Sequence, residues 1–148
     1  MKLFMLRKLK RTGLNVEELV AVYRGYIRPI LEYAVPVWHS GITSEQSSKI
    51  ESIQKRVCRI ILGKEYEHYS EALSRMGLES LYTRRISICT KFATQAHESA
   101  KFNHWFPQSK RTHHMSLRFS RKVPDYKCRT KRFWNSPVPY FIRLLNNQ

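Results

Sequence analysis

Apolar residues recur at helical spacing through most of the first hundred positions. Asn15, with Glu18 three residues on, has the form of a capping box, with Asn as the less usual cap residue. Beyond it Leu19, Tyr23, Tyr26, Ile27, Ile30 and Leu31 recur with the period of an amphipathic helix. Pro29 removes one amide from that run, which predicts a kink or a break near Arg28. Pro36 and Gly41 then bracket an irregular stretch holding Trp38. Thr43 opens a second helix with an apolar stripe of Ile50, Ile53, Val57, Ile60 and Ile61, and Gly63 ends it as a C-terminal cap. A shorter helix is expected around 70–76, stopped by Gly77, and a longer one over about 80–99 with Leu81, Ile88, Phe92 and Ala96 facing inward. Residues 1–11 also read as a helix, but one that starts without a cap, as in a chain cut from something longer.

Past residue 100 the period is lost. Pro124, Pro137 and Pro139, the adjacent His113 and His114, and scattered Arg and Lys leave only 140–145 as a further short helix. Residues 101–139 read as an extended, basic, aromatic-bearing segment that orders on a partner. The fold class is therefore mainly α: a small helical bundle followed by a basic, largely irregular C-terminal tail. Three zones are expected, a helical region over 1–63, further helices packing on it over 64–100, and the tail over 101–148.

Charge sharpens this division. The 148 residues carry 27 Lys and Arg against 11 Asp and Glu, a formal charge of +16. Residues 1–63 hold 11 basic and 5 acidic side chains, 64–100 hold 5 of each, and 101–148 hold 11 basic residues against Asp125 alone. The excess sits at both ends and skips the middle. Asp125 is also the only Asp in the chain. Chemistry that clamps two metal ions needs several close carboxylates, so polymerase and nuclease active sites are poor readings, and no Gly-x-x-x-x-Gly-Lys loop is present. Three cysteines at wide spacing argue against a disulfide framework and for a reducing compartment. With no apolar run long enough for a leader or a membrane span, the expectation is a soluble intracellular protein of the nucleus or cytoplasm.

Two candidate chemistries are weak. His104, His113, His114 and Cys128 could offer zinc ligands, but no short-spaced ligand pair is present, and solvated or phosphate-contacting histidines fit better. Cys58 and Cys89 fall on apolar helix stripes and read as packing residues rather than nucleophiles. No cofactor and no metal is expected. Nucleic-acid binding carries the stronger signal. Lys49, Arg56 and Arg59 share one side of the 43–62 helix, with Lys55 beside them and expected to pair with Glu51 one turn away. The tail adds Arg118, Arg121, Lys122, Arg129, Lys131 and Arg132, interleaved with Phe119, Tyr126, Phe133 and Trp134. Cations with interspersed rings suit phosphate backbones and stacked bases. The bland alternative is a solvated helix face, and an anionic membrane or acidic protein is the remaining partner class.

Tyr23-Arg-Gly-Tyr-Ile-Arg-Pro-Ile-Leu-Glu-Tyr-Ala-Val-Pro-Val-Trp-His, followed by Ile50-Glu-Ser-Ile-Gln-Lys-Arg-Val-Cys-Arg-Ile-Ile-Leu-Gly, resembles the thumb region of non-LTR (LINE-type) retrotransposon reverse transcriptases. The likeness continues through Tyr69-Ser-Glu-Ala-Leu-Ser-Arg-Met-Gly-Leu and reaches Arg132-Phe-Trp-Asn-Ser-Pro-Val-Pro-Tyr, covering nearly the whole chain. In that family the polymerase aspartates lie in the fingers and palm, upstream of this region, in agreement with the single Asp here. The resemblance implies a non-catalytic thumb and post-thumb module that grips template–primer nucleic acid, an RNA–DNA hybrid or duplex. The missing palm and fingers are its other implied partners. It places Lys49, Lys55, Arg56 and Arg59 along the nucleic acid, with Arg24 and Arg28 as supports. Arg28 has a bland role open to it, closing the kink at Pro29 with Glu32 at i+4. Tyr33 and Trp38 read as core anchors, and Gln54 faces either way. A scaffold for a protein partner, or a decayed element with no function of its own, are the competing readings.

Overall fold

A computed structural model describes residues 2–107 and 123–147 of the chain. Its architecture is mainly α-helical, with no strand among the described residues. The chain divides into two compact units, one of Met1–Tyr33 with Thr43–Arg84, the other of Ala34–Ile42 with Arg85–Gln148. This differs from the three consecutive zones expected from composition. Local periodicity and charge balance report elements one at a time. The segment after Tyr33 and the chain after Arg84 share one core through pairings distant in sequence, which no local pattern carries.

The first unit holds α1 (Lys2–Arg11), α2 (Val16–Val22), a π-helical turn (Tyr23–Ile27), α3 (Arg28–Leu31), α5 (Ser44–Leu62), α6 (Tyr69–Arg75) and the first residues of α7 (Leu81–Glu98). The second holds α4 (Val35–Trp38), a 3-10 turn (His39–Gly41), the rest of α7, α8 (Lys131–Trp134) and α9 (Pro137–Asn146). Both predicted N-termini close as capping boxes. Asn15 accepts from the Glu18 amide at 2.8 Å while Glu18 accepts from the Asn15 amide at 2.9 Å, and Thr43 and Gln46 exchange the same pair of bonds.

The kink expected near Arg28 is a widened turn. Pro29 has no N–H to offer, and its ring crowds the carbonyl of the preceding turn. The backbone passes this point through five-residue hydrogen bonds, the Arg28 amide donating to the Tyr23 carbonyl. The stretch between Pro36 and Gly41, expected to be irregular, is instead a pair of short helical turns entered through Ala34, which adopts a left-handed backbone at φ 51°. Tyr33, expected in the core, is 79% exposed, because the helix ends at Glu32 and the chain reverses at Ala34. Trp38 does pack against the second core.

Leu6, Leu19, Tyr23, Ile27, Val57, Cys58 and Ile61 form the heart of the first core. Tyr26 and Ile30, on the same periodic stripe in the sequence, stay exposed. Gln54 faces inward and is buried. It accepts from the Tyr23 hydroxyl at 2.9 Å and donates to the Glu79 carbonyl at 2.8 Å, so its polar atoms are matched. The second core gathers Val35, Cys89, Ala93, Phe106, Val123, Phe141 and Ile142. The described parts of the predicted extended segment thus belong to a packed unit. Phe106 and Val123 are buried, and Asn146 bonds both backbone groups of Val123. The Tyr126 hydroxyl donates to the Trp105 carbonyl at 2.9 Å.

Candidate nucleic-acid interface

Helix α5 presents its cations as the spacing predicts. At about 100° per residue, Lys49, Arg56 and Arg59 fall within an arc of about 80°, with Lys55 about 40° beyond its edge, and all four are exposed. Val57, Cys58 and Ile61 are buried in the core. The four side chains differ in what they already touch. Lys49 Nζ lies 2.7 Å from a Glu45 carboxylate oxygen. Lys55 sits over the Tyr69 ring at 5.2 Å and Arg59 over Tyr66 at 5.3 Å. Arg56 has no partner among the described residues.

The expected Lys55–Glu51 pair is replaced by another arrangement. Glu51 accepts from the Leu81 and Tyr82 amides, each at 3.1 Å, and from the Tyr69 hydroxyl. A carboxylate at a helix N-terminus meets unsatisfied amides and the positive end of the dipole, and here that outcompetes an exposed lysine. Burial first, and then the bond to Glu51, push the Tyr69 hydroxyl's pKa upward, so the ring stays neutral beneath Lys55. The last eleven residues of α5 carry Lys55, Arg56 and Arg59 and no acid.

Arg24 and Arg28 are held by the fold. Arg24 Nη2 donates to the Gly77 carbonyl at 2.7 Å and the Met76 carbonyl at 3.4 Å, fastening the end of α6. Arg28 lies 3.9 Å from Glu32, the i+4 pair anticipated. The closer partner of Glu32 is Arg84, whose Nε and Nη2 meet its two oxygens at 2.5 and 3.0 Å.

In the second unit Arg129, Lys131 and Arg132 are exposed at and before α8. Phe133 and Trp134 beside them are 42% and 45% exposed. Arg143 stacks on Trp134 at 4.2 Å, a pairing across nine residues that the sequence pattern does not reveal. Arg118, Arg121 and Lys122 lie outside the described residues, as do His113 and His114. Among the described residues no three His, Cys, Asp or Glu side chains converge to hold a metal ion. Burial pushes the Cys58 and Cys89 thiols up to about 11, which disfavours the nucleophilic thiolate.

Spacing along the sequence also singles out none of the cations of α1. This helix carries Lys2, Arg7, Lys8, Lys10 and Arg11 with no acid, and it packs against α5. Lys10 Nζ donates to the Ile61 carbonyl at 2.8 Å. The clue available was a basic helix of unknown neighbour; only the packing says which surface it joins. No described helix is long and apolar enough to cross a membrane. Comparison with family models, curated proteins and solved structures finds no match to this chain.

Proposed function

We propose that this chain is the non-catalytic thumb and post-thumb part of a LINE-type RNA-directed DNA polymerase, binding template–primer nucleic acid through its backbone phosphates. The observation that carries the reading is the exposed ridge of Lys55, Arg56 and Arg59 on α5, free of acids over its last eleven residues. The resemblance of residues 23–63 to reverse transcriptase thumbs supports it. Guanidinium groups offer paired donors to phosphate oxygens, and a ridge of this kind follows a backbone with little regard for base sequence. Exposed Phe133 and Trp134 next to Arg129, Lys131 and Arg132 add rings on which unpaired bases can stack.

Titration against an RNA–DNA hybrid at several salt concentrations tests this. If about six phosphates are neutralised, affinity falls roughly a thousandfold between about 50 and 200 mM salt. Salt-insensitive binding, or none, sinks the proposal. A second reading, a scaffold for a protein partner, is favoured by Tyr26 and Ile30, which are 63% and 54% exposed one turn apart. Apolar association survives high salt whereas phosphate binding does not. A pull-down that persists in high salt, with sedimentation showing a defined complex, would favour the scaffold.

A further inference from the structure

The cations of α1 converge on a site of their own. Arg7, Lys10, Arg11 and Ile60 line an open depression of about 400 Å³ where α1 packs on α5. Arg7 and Arg11 stand one turn apart on the same face of α1, and both are exposed. Like charges at this spacing repel each other, and among the described residues no acid pairs with either. Lys10 is fixed at the rim by its bond to the Ile61 carbonyl, so its charge is held rather than swept through solvent. Ile60 supplies an apolar wall. On α5, Arg56 lies one turn before Ile60 and so continues the same side.

We infer that this depression seats a phosphate group, with Arg7 and Arg11 donating to its oxygens and Lys10 adding charge at the edge. A tetrahedral anion relieves the Arg7–Arg11 repulsion and gives two guanidinium forks one acceptor to share. The observations are chemical rather than base-specific: no ring lines the site, so it reads a phosphate and not a base. The inference deepens the template–primer reading and rests on it for the source of the phosphate, a nucleic-acid backbone. A free polyphosphate has the same chemistry and is the alternative source.

The full chain is titrated in two arms, with tripolyphosphate and with an RNA–DNA hybrid, while the guanidinium Nε–H signals of Arg7 and Arg11 are followed by NMR. Hybrid affinity is also measured for the Arg7→Gln/Arg11→Gln variant across salt concentrations, after a melting curve confirms folding. Both signals should shift in both arms, and the variant's slope of log affinity against log salt should fall by about one. Salt-dependent hybrid binding with unmoved Arg7 and Arg11 signals overturns the depression and leaves the template–primer reading standing. Shifts with tripolyphosphate alone and no hybrid binding uphold the phosphate site and sink that reading. Silence in both arms overturns the site. The NMR arms use the unaltered chain, so the question is decided even if the double variant fails to fold.

Discussion

Gln54 and Tyr23 show at residue scale what a local pattern leaves open. Gln54 sits within the charged half of α5, yet it is buried with its amide bridging the Tyr23 hydroxyl and the Glu79 carbonyl. Burial pushes the Tyr23 pKa upward, so the hydroxyl remains a donor. Replacing Gln54 by Leu strands the buried Tyr23 hydroxyl, while the carbonyl of the exposed Glu79 can turn to water, so the change should cost about 1–3 kcal/mol. Tyr23→Phe together with Gln54→Leu removes the stranded group, so the double variant should be more stable than additivity allows, by about 1 kcal/mol or more. Urea denaturation of the four proteins measures this; strict additivity would mean that the hydroxyl and amide do not interact. The sequence could not place Gln54, because the helical period puts it between the two faces. It misplaced Tyr33 because spacing cannot see a chain reversal at a left-handed alanine. The partner of Glu51 was likewise out of reach, since α7's amides are thirty residues away and Lys55 is only four.

Elements were far more legible where their signals are short in range. The Asn15–Glu18 capping box formed as spelled, and Thr43, read only as a helix start, closes a second one with Gln46, since cap and partner are three residues apart and need nothing else. The proline kink and the Gly63 stop follow for the same reason. At Gly63 a tertiary reason is added to the local one. Its φ is +61° with ψ at −116°, a region that side chains disfavour, and a Cβ there would stand 2.8 Å from Lys10 Nζ. That ammonium is the group fastening α1 to the end of α5 through the Ile61 carbonyl. Gly63→Ala is therefore expected to lower stability by roughly 1–3 kcal/mol through backbone strain, with Lys10 displaced besides. Lys10→Met alone should cost less, about 1–2 kcal/mol, because it removes one charge-assisted bond at a partly exposed site. Thermal melts of the two variants rank them, and a larger loss for Lys10→Met would show that the bond, not the backbone, governs this helix end.

On the scale of the whole molecule, long-range packing was the part hidden from the sequence. The second unit joins Val35, Cys89, Phe106, Val123 and Phe141, residues scattered over a hundred positions, so its tail looked irregular. That unit also carries a pH signature. Burial first, and then the positive charge of Arg85, lower the pKa of His39 below its ordinary 6.5. A histidine whose folded pKa is depressed contributes stability above the unfolded value and loses it as pH falls from that value through the lower folded one. The melting temperature should drop on acidification below about 6.5, and His39→Gln should flatten that limb. The charge distribution yields the last test, because exposed cations of α5 are not equivalent. Lys49 faces Glu45 at 2.7 Å with both side chains about three-quarters exposed, an ion pair worth little to stability but neutral toward an approaching polyanion. Arg56 carries its charge with no acid beside it among the described residues. If phosphates follow this ridge, Arg56→Gln should lower the salt slope of hybrid binding by about one while leaving the melting curve unmoved. Lys49→Gln should lower it by clearly less, since Glu45 already offsets that lysine. Glu45→Gln should then tighten binding at low salt by releasing Lys49 to the backbone. Equal losses for Lys49 and Arg56 would show that Glu45 does not compete with phosphate, and the ridge would have to be drawn through all its cations alike.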